Sequence, residues 1–229
     1  MPMNMKWTAA FQPLFEVYGK RKHPLEFKNR YQLLIMVILS ARATDKYINK
    51  MAPEFFAVFP DMSSLAKLAP EDLYPHLKSV PGFRNKSLWL TEIAQTIQKD
   101  ENIPTTMNEL EKLPGIGRKT ANVIIRESGG KAEGIIVDLH VVRVAPRIGI
   151  AGGTIPDKIE KHLMEAIPNQ DLWNQLGMGI SFLGREICRP KSKCTECIIN
   201  PVCQYYYQIK AGKTPEPAKK PMKAPLQFE

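Results

Sequence analysis

Residues 113–126 read LPGIGRKTANVIIR, and this stretch decides how the chain is expected to fold. Pro114 and two glycines separated by a single residue predict a tight turn between two helices, because glycine adopts backbone angles that other residues avoid. Gly115 and Gly117 can adopt a positive φ and allow another backbone to approach closely, and we expect a helix to begin near Arg118. The N–H groups at the start of that helix would point back over the turn, which favours binding of a phosphate.

Lys119 falls in the first turn of this predicted helix, where a positive charge is unfavourable. The N-terminal end of a helix carries a partial positive charge, and Arg118 places a second cation beside the lysine. Together with partial burial, these neighbours would leave the amine less protonated and therefore nucleophilic, able to form a Schiff base with an aldehyde. The alternative is a lysine that only pairs with phosphate.

Asp138 follows the apolar run of residues 134–137 and precedes a helical stretch that begins at Leu139. An aspartate at this position is expected to cap the helix. A fixed carboxylate can also stabilise a developing oxocarbenium ion at a sugar C1′, or activate a nucleophile. Capping and catalysis are compatible, so Asp138 is a candidate for both.

All four cysteines of the chain fall in the pattern C-x5-C-x2-C-x5-C near its end: Cys188, Cys194, Cys197 and Cys203. In a protein expected to lie in a reducing compartment, metal ligation is a better use of such thiols than disulfide formation. Zinc ribbons usually offer two C-x2-C pairs, whereas this compact loop has one, so the spacing favours an iron–sulfur cluster over zinc. Four thiolates would leave no open coordination site, which indicates a structural role.

Helical periodicity runs along nearly the whole chain and predicts an all-α protein. The predicted helices include an almost entirely apolar one over residues 30–41. The one strand-like run, residues 134–137, is too short to build a sheet. From residue 208 onward, prolines and lysines replace core-forming residues, which predicts a disordered basic tail over residues 208–229.

The net charge of the chain is +9. A basic protein often has a polyanionic partner such as nucleic acid, although a generic basic surface is an equally good explanation of the charge alone. The N-terminus lacks the apolar core of a signal peptide, and the longest apolar run, residues 33–39, is too short to span a bilayer. We therefore expect a cytoplasmic, nucleoid-associated protein that does not interact with a membrane.

Three separated stretches, LPGIGRKTANVI, IIVDLHVVRV and the cysteine run, resemble in order and spacing the endonuclease III family of helix-hairpin-helix DNA glycosylases. The resemblance spans about residues 28–207 and includes the stretch LLIMVILSARATDKYINK. It implies a two-domain helix-hairpin-helix DNA glycosylase fold with an iron–sulfur cluster loop. The six-helix domain with the hairpin would cover residues 24–133, and the cluster domain would combine residues 1–23 and 134–207.

The resemblance also implies roles for individual residues. Lys119 matches the Schiff-base lysine, Asp138 matches the catalytic aspartate, and the four cysteines match the ligands of a [4Fe–4S] cluster. In the implied reaction a damaged base is flipped out of the duplex, Lys119 attacks C1′, and β-elimination nicks the strand. The residues expected to contact DNA are Arg42, Phe83, Arg84, Gly115, Gly117, Arg118, Thr120, Arg189, Lys191 and Lys193.

The sequence departs from the family pattern at three places. Arg42 stands where the family commonly has a glutamine that fills the gap left by the flipped base. Gly82 stands where the family commonly has a leucine that wedges into the opposite strand. Either Phe83 or Arg84 acts as the wedge instead, or the base opposite the flipped nucleotide is held differently. Five residues instead of six separate the first two cysteines, and this shorter basic loop could lie on phosphates. The departures leave the chemistry intact and the lesion preference open.

Three hypotheses on function follow. The first is a bifunctional DNA glycosylase/AP lyase, a monomer acting on double-stranded DNA that contains an abasic site or a damaged base, by family default an oxidised pyrimidine. The second is a monofunctional glycosylase for another lesion, and the third is a non-catalytic protein that binds damaged DNA. Lys119 together with Asp138 favours the first, because monofunctional relatives typically lack the lysine and phosphate binding requires neither residue.

Overall fold

The computed structural model describes residues 3–226, and over this range the chain is helical with no β-strand. The prediction of an all-α protein is therefore confirmed. Residue contacts divide the chain into two compact units. One, here called the hairpin unit, is Lys22–Lys131; the other, the cysteine unit, combines the segments up to Arg21 and from Ala132 onward. No helix in the described range is long and apolar enough to cross a membrane.

The α-helices follow one another along the chain in three groups. The N-terminal segment holds α1 (Met3–Ala10) and α2 (Gln12–Tyr18). The hairpin unit holds α3 (Arg30–Ser40), α4 (Asp45–Val58), α5 (Met62–Leu65), α6 (Tyr74–Leu77), α7 (Phe83–Ile97), α8 (Met107–Leu110) and α9 (Arg118–Glu127). The C-terminal segment holds α10 (Leu139–Ile148), α11 (Pro156–Ala166), α12 (Trp173–Glu186) and α13 (Gln204–Lys210). Short 3₁₀ helices cover Pro70–Leu73, Asp100–Asn102, Gln170–Leu172, Cys194–Glu196 and Asn200–Val202.

Helix α3 forms the centre of the hairpin unit. Every residue from 33 to 39 is buried, as expected for a helix that is apolar on all sides. Asn29 caps α3, because its side chain accepts a hydrogen bond from the N–H of Gln32 at 2.8 Å. Helices α4, α7 and α9 pack against α3, so this helix fixes the positions of those elements of the hairpin unit that carry predicted DNA contacts.

In the cysteine unit, α12 packs against both α2 and α10. A glycine allows α12 to approach the extended segment that leads to Asp138: a Cβ on Gly177 would lie only 2.7 Å from the carbonyl oxygen of Ile136. Any other residue would push the helix away from that backbone. The close contact places the middle of α12 beside the start of α10.

The described part of the C-terminal tail, for which the sequence predicts disorder over residues 208–229, makes backbone contacts with its own unit. Ala218 is buried, donates its N–H to the carbonyl oxygen of Pro146 at 2.8 Å, and accepts a hydrogen bond from the N–H of Gly153 at 3.0 Å. The N–H of Met222 donates a hydrogen bond to the carbonyl oxygen of Gly149. Proline and lysine content predicted disorder, but these contacts are made by the backbone and therefore do not depend on core-forming side chains.

Candidate functional site

The predicted hairpin is formed by α8, a turn over residues 113–117, and α9. Gly115 has a φ of +76°, and a Cβ at this position would lie 2.7 Å from Cδ2 of Trp89, so both backbone and space require glycine. Gly117 has a φ of −98° and a ψ of 176°, which any residue can adopt. Of the two glycines that can adopt a positive φ, only Gly115 does so here. Gly117 is the N-cap of α9, is exposed, and contributes no side chain to the turn.

Lys119 lies in the first turn of α9, as predicted, and its apolar neighbours on the helix pack against α3. It is exposed, whereas Arg118 and Thr120 are half-buried. The expectation of a partly buried lysine is therefore wrong. Burial does not activate this amine, whereas the positive helix end and the neighbouring charge of Arg118 both disfavour its protonated form.

Asp138 is the N-cap of α10, which confirms the predicted structural role. Its Oδ1 accepts hydrogen bonds from the N–H groups of His140 and Val141, each at 2.9 Å. Its Oδ2 accepts a hydrogen bond from the hydroxyl of Ser181 in α12 at 2.6 Å. Three donors thus bind both oxygens and hold the carboxylate in one orientation.

The turn after α3 and the first turn of α7 carry the residues that depart from the family pattern. Arg42 is exposed and has a φ of 63°. Phe83 is half-buried and packs edge to face against Tyr74, with ring centroids 5.2 Å apart. Arg84 is exposed, and its guanidinium carbon lies 5.8 Å from the centroid of the Phe83 ring. Of the two candidates for the missing wedge, Arg84 is the one that extends from the surface.

The four cysteines, which form no disulfide, line one small cavity of about 20 Å³. Apolar side chains such as Val144, Ile148 and Leu183 complete its wall, and no acidic residue or histidine of the described chain lines it. Arg147 at the end of α10 holds the cysteine loop (residues 188–203): its guanidinium donates to Sγ of Cys188 at 3.6 Å and to the carbonyl oxygens of residues 189 and 190 at 2.7 and 3.3 Å. Within the described residues, no three cysteine, histidine or acidic side chains form a group that could hold a single metal ion.

Burial changes the protonation of the thiols. It raises the pKa of Cys188, raises that of Cys197 to about 12, and raises that of Cys203 to about 11, and the neighbouring thiols add to each effect. Arg147 partly opposes the shift at Cys188. These three thiols are protonated at neutral pH in the absence of a bound cation, so ligation of a metal centre must release protons.

The basic side chains of the cysteine loop lie on its surface. Arg189, Lys191 and Lys193 are all exposed. Nζ of Lys193 lies 3.3 Å from Oε2 of Glu196, so this lysine has a counter-charge within the loop. Lys191 and Arg189 are therefore the stronger candidates for an electrostatic contact with a polyanion.

Comparison with known proteins identifies the family. The model of the HhH-GPD superfamily base excision DNA repair proteins matches residues 35–169. The endonuclease III of Synechocystis sp. is 36% identical over 199 residues, which are 86% of this chain and 90% of that protein. The endonuclease III of Thermotoga maritima is 34% identical over 186 residues, which are 80% of this chain and 86% of that protein. The chain belongs to the endonuclease III family.

Solved structures agree with this assignment. The structure of a trapped endonuclease III–DNA covalent intermediate has a TM-score of 0.80 and 28% identity, and the match covers 92% of this chain and all of the other. A thermostable thymine-DNA glycosylase, with 22% identity and a TM-score of 0.73, has the same fold. The predicted helix-hairpin-helix glycosylase fold is confirmed. Endonuclease III enzymes are DNA glycosylases with AP lyase activity, and this chain is one of them, which confirms the activity named in the first of the three hypotheses on function.

The predicted residues of this endonuclease III are divided between the two units. The hairpin unit contains Lys119 with the hairpin and the two turns that carry Arg42 and Arg84, whereas the cysteine unit contains Asp138 and the four cysteines. Sequence analysis missed Ser181 and Arg147. The only signal for Ser181 is a hydroxyl in the otherwise apolar run GISFLG, and Arg147 belongs to no motif.

Proposed function

We propose that this endonuclease III acts as a monomer on double-stranded DNA that contains a damaged base, foremost an oxidised pyrimidine, or an abasic site. DNA as the substrate makes the cytoplasm, at the nucleoid, the expected location. The DNA contacts are proposed to come from the hairpin, from the turn after α3, from the first turn of α7, and from the cysteine loop. The residues concerned are Arg42, Phe83, Arg84, Gly115, Gly117, Arg118, Thr120, Arg189, Lys191 and Lys193.

Lys119 is the nucleophile of this proposal. Its Nζ forms a bond to C1′ of the flipped nucleotide while the N-glycosidic bond breaks, and the base leaves with the bonding electrons and takes up a proton. Opening of the sugar ring gives a Schiff base. Loss of a proton from C2′ then expels the 3′ phosphate and nicks the strand. The observation that carries the proposal is an exposed amine in the first turn of α9, the second helix of the hairpin.

Asp138 supplies the negative charge in the same scheme. Positive charge develops at C1′ as the base departs, and a carboxylate fixed in advance stabilises that charge without reorganising. The three hydrogen bonds to Asp138 provide this fixed orientation. Its oxygens still have lone pairs for a further interaction, because a carboxylate accepts about four hydrogen bonds.

The test is borohydride trapping on duplex DNA with one abasic site. Wild type is expected to form a covalent adduct, because borohydride reduces the Schiff base to a stable amine. Lys119→Ala is expected to form none. Lys112→Ala is the matched control, since this exposed lysine lies on the other side of the same hairpin, and it should trap like wild type. Absence of a wild-type adduct would overturn the proposal.

We infer that the four cysteines hold a [4Fe–4S] cluster. The support is the donor set: four thiols around an apolar cavity, with the guanidinium of Arg147 at Cys188 to balance part of the negative charge. When bound, the cluster would connect the four thiols of the cysteine loop to one another, which is a structural contribution. Purified protein should contain iron and acid-labile sulfide in equal amounts, and zinc in place of iron would contradict the assignment.

A further inference from the structure

Arg42 stands in a strained turn at the end of α3. Its φ of 63° lies in the left-handed region, where the Cβ of a residue other than glycine comes too close to the following carbonyl oxygen. In the described chain it shares this property only with Gln98 among residues other than glycine. A strained backbone conformation persists only where the surrounding structure holds it in place.

Lys86 is the side chain that holds this turn. Its Nζ donates to the carbonyl oxygen of Leu39 at 2.9 Å and to that of Ala41, the residue before Arg42, at 2.6 Å. Carbonyls at the C-terminal end of a helix lack partners within the helix, and the negative end of the helix dipole favours a cation there. One ammonium group therefore satisfies two backbone acceptors on either side of Ser40.

The position of Lys86 is costly. The residue is only 4% exposed, and neither hydrogen-bond acceptor carries a charge. Burial, with a smaller effect from the charge of Arg42, lowers the pKa of Lys86 to about 8. An apolar side chain would avoid this cost but would leave the two carbonyls, and with them the turn, without support.

Lys86 also belongs to the helix that carries the other unusual side chains. It lies in α7, three residues after Phe83 and two after Arg84. One turn further along, Trp89 packs under Gly115 of the hairpin. The N-terminal half of α7 is thus fixed to the hairpin by Trp89 and to the end of α3 by Lys86.

We propose that Lys86 is a positioning residue for lesion recognition, because it holds Arg42 at a fixed distance from Phe83 and Arg84. The inference rests on the proposed function, in which these side chains contact the DNA around the flipped nucleotide. Excision of a damaged base depends on that arrangement. Strand cleavage at an existing abasic site depends mainly on Lys119, which lies on a different helix.

Lys86→Met tests the proposal, since methionine keeps the length of the stem and removes both hydrogen bonds. On the oxidised-pyrimidine duplex that wild type processes fastest, the single-turnover rate of base release should fall by about tenfold, the effect of one lost charge-assisted hydrogen bond. Borohydride trapping on an abasic duplex should change by less than about threefold. Thr91→Val is the matched control: it removes an equally buried hydroxyl of α7 that bonds only within its own helix.

A double-mutant cycle distinguishes positioning from general stability. If Lys86 acts through Arg42, Lys86→Met should slow base release in the wild type but add less than about twofold in an Arg42→Ala background. Additive effects would overturn the proposal, as would an equal loss of base release and trapping in Lys86→Met with an unchanged melting temperature. Failure of wild type to trap at all would instead contradict the proposed function, so the two failures are distinguishable.

Discussion

Asp138 shows how one side chain can serve the fold and the chemistry together. Two backbone N–H groups of α10 bind one carboxylate oxygen, which is the ordinary task of an N-cap. The second oxygen is bound by the hydroxyl of Ser181, which is only 1% exposed. A cap alone would leave this oxygen free to rotate toward solvent. The orientation of the carboxylate therefore depends on α12, through Ser181, as well as on α10.

Ser181→Ala is expected to slow base release by about three- to tenfold, the effect of a lost hydrogen bond to a charged group. Trapping at abasic sites should be less affected, because no base has to leave. Single-turnover assays on both substrates measure this difference. Ser87→Ala is a matched control, since Ser87 is equally buried and its hydroxyl has no hydrogen-bond partner in the described structure. Equal rates for the Ser181 variant and wild type would show that the cap alone positions Asp138.

The capping role of Asp138 could be predicted from the sequence, because the cap and its partners are neighbours along the chain. Its contact with Ser181 could not be predicted, because 43 residues separate the two side chains. The same difference applies to Lys86, whose acceptors lie 45 and 47 residues away. Local patterns predict local hydrogen bonds, whereas these contacts depend on how helices pack.

At the scale of elements, the hairpin combines two glycines with different physical requirements. Gly115 is constrained by its own φ and by Trp89, so it is needed for the fold of the turn. Gly117 has ordinary backbone angles, and a Cβ there would meet no heavy atom within 4 Å, so the protein itself does not require glycine at this position. Its open face is suited to the close approach of a phosphate to the start of α9.

We expect the two hairpin glycines to respond differently to alanine. Gly115→Ala should lower the free energy of unfolding by about 2 kcal/mol or more, since left-handed strain and the contact with Trp89 add. Gly117→Ala should change it by less than about 1 kcal/mol, the usual cost of alanine at an N-cap, and instead weaken binding to duplex DNA. Urea denaturation and a DNA titration of both variants measure the two effects. The reverse pattern would contradict the assignment of roles.

In the tail, composition predicts disorder, whereas the described residues form backbone contacts. Low hydrophobicity predicted disorder because a disordered segment cannot bury enough apolar surface to offset its entropy. The described tail is held instead by three backbone hydrogen bonds to the end of α10 and the loop that follows it, at Pro146, Gly149 and Gly153. These donors and acceptors are available only because α10 ends at this position. The composition of the tail therefore could not predict the hydrogen bonds.

Removal of residues 213–229 is expected to lower the free energy of unfolding by roughly 2–4 kcal/mol, at about 1 kcal/mol for each lost hydrogen bond. Removal of residues 224–229 alone keeps all three hydrogen bonds and serves as the control. Urea denaturation followed by circular dichroism compares the two truncations with wild type. Identical midpoints for the longer truncation and wild type would mean that the tail does not contribute to the stability of the cysteine unit.

At the scale of the whole molecule, the relevant property for DNA binding is the charge of the protein. The net charge of +9 is long-ranged and attracts any polyanion, so by itself it could not distinguish a DNA enzyme from a generic basic protein. The ion pairs of individual lysines indicate which positive charges are available to DNA, which the net charge does not. Lys193 has Glu196 as a partner on the surface of the cysteine loop, whereas Lys191 is exposed and forms no ion pair within the described structure.

This difference leads to a prediction on salt dependence. Each phosphate contact contributes about 0.9 to the slope of log affinity against log salt concentration on duplex DNA. Lys191→Ala should therefore reduce the slope by about 1 and weaken binding to all sequences alike. Lys193→Ala should reduce it less, because Glu196 already neutralises part of that charge, and Glu196→Ala should make the slope steeper. DNA titrations between low and moderate salt measure all three variants. An unchanged slope for Lys191→Ala would mean that the cysteine loop does not lie on phosphates.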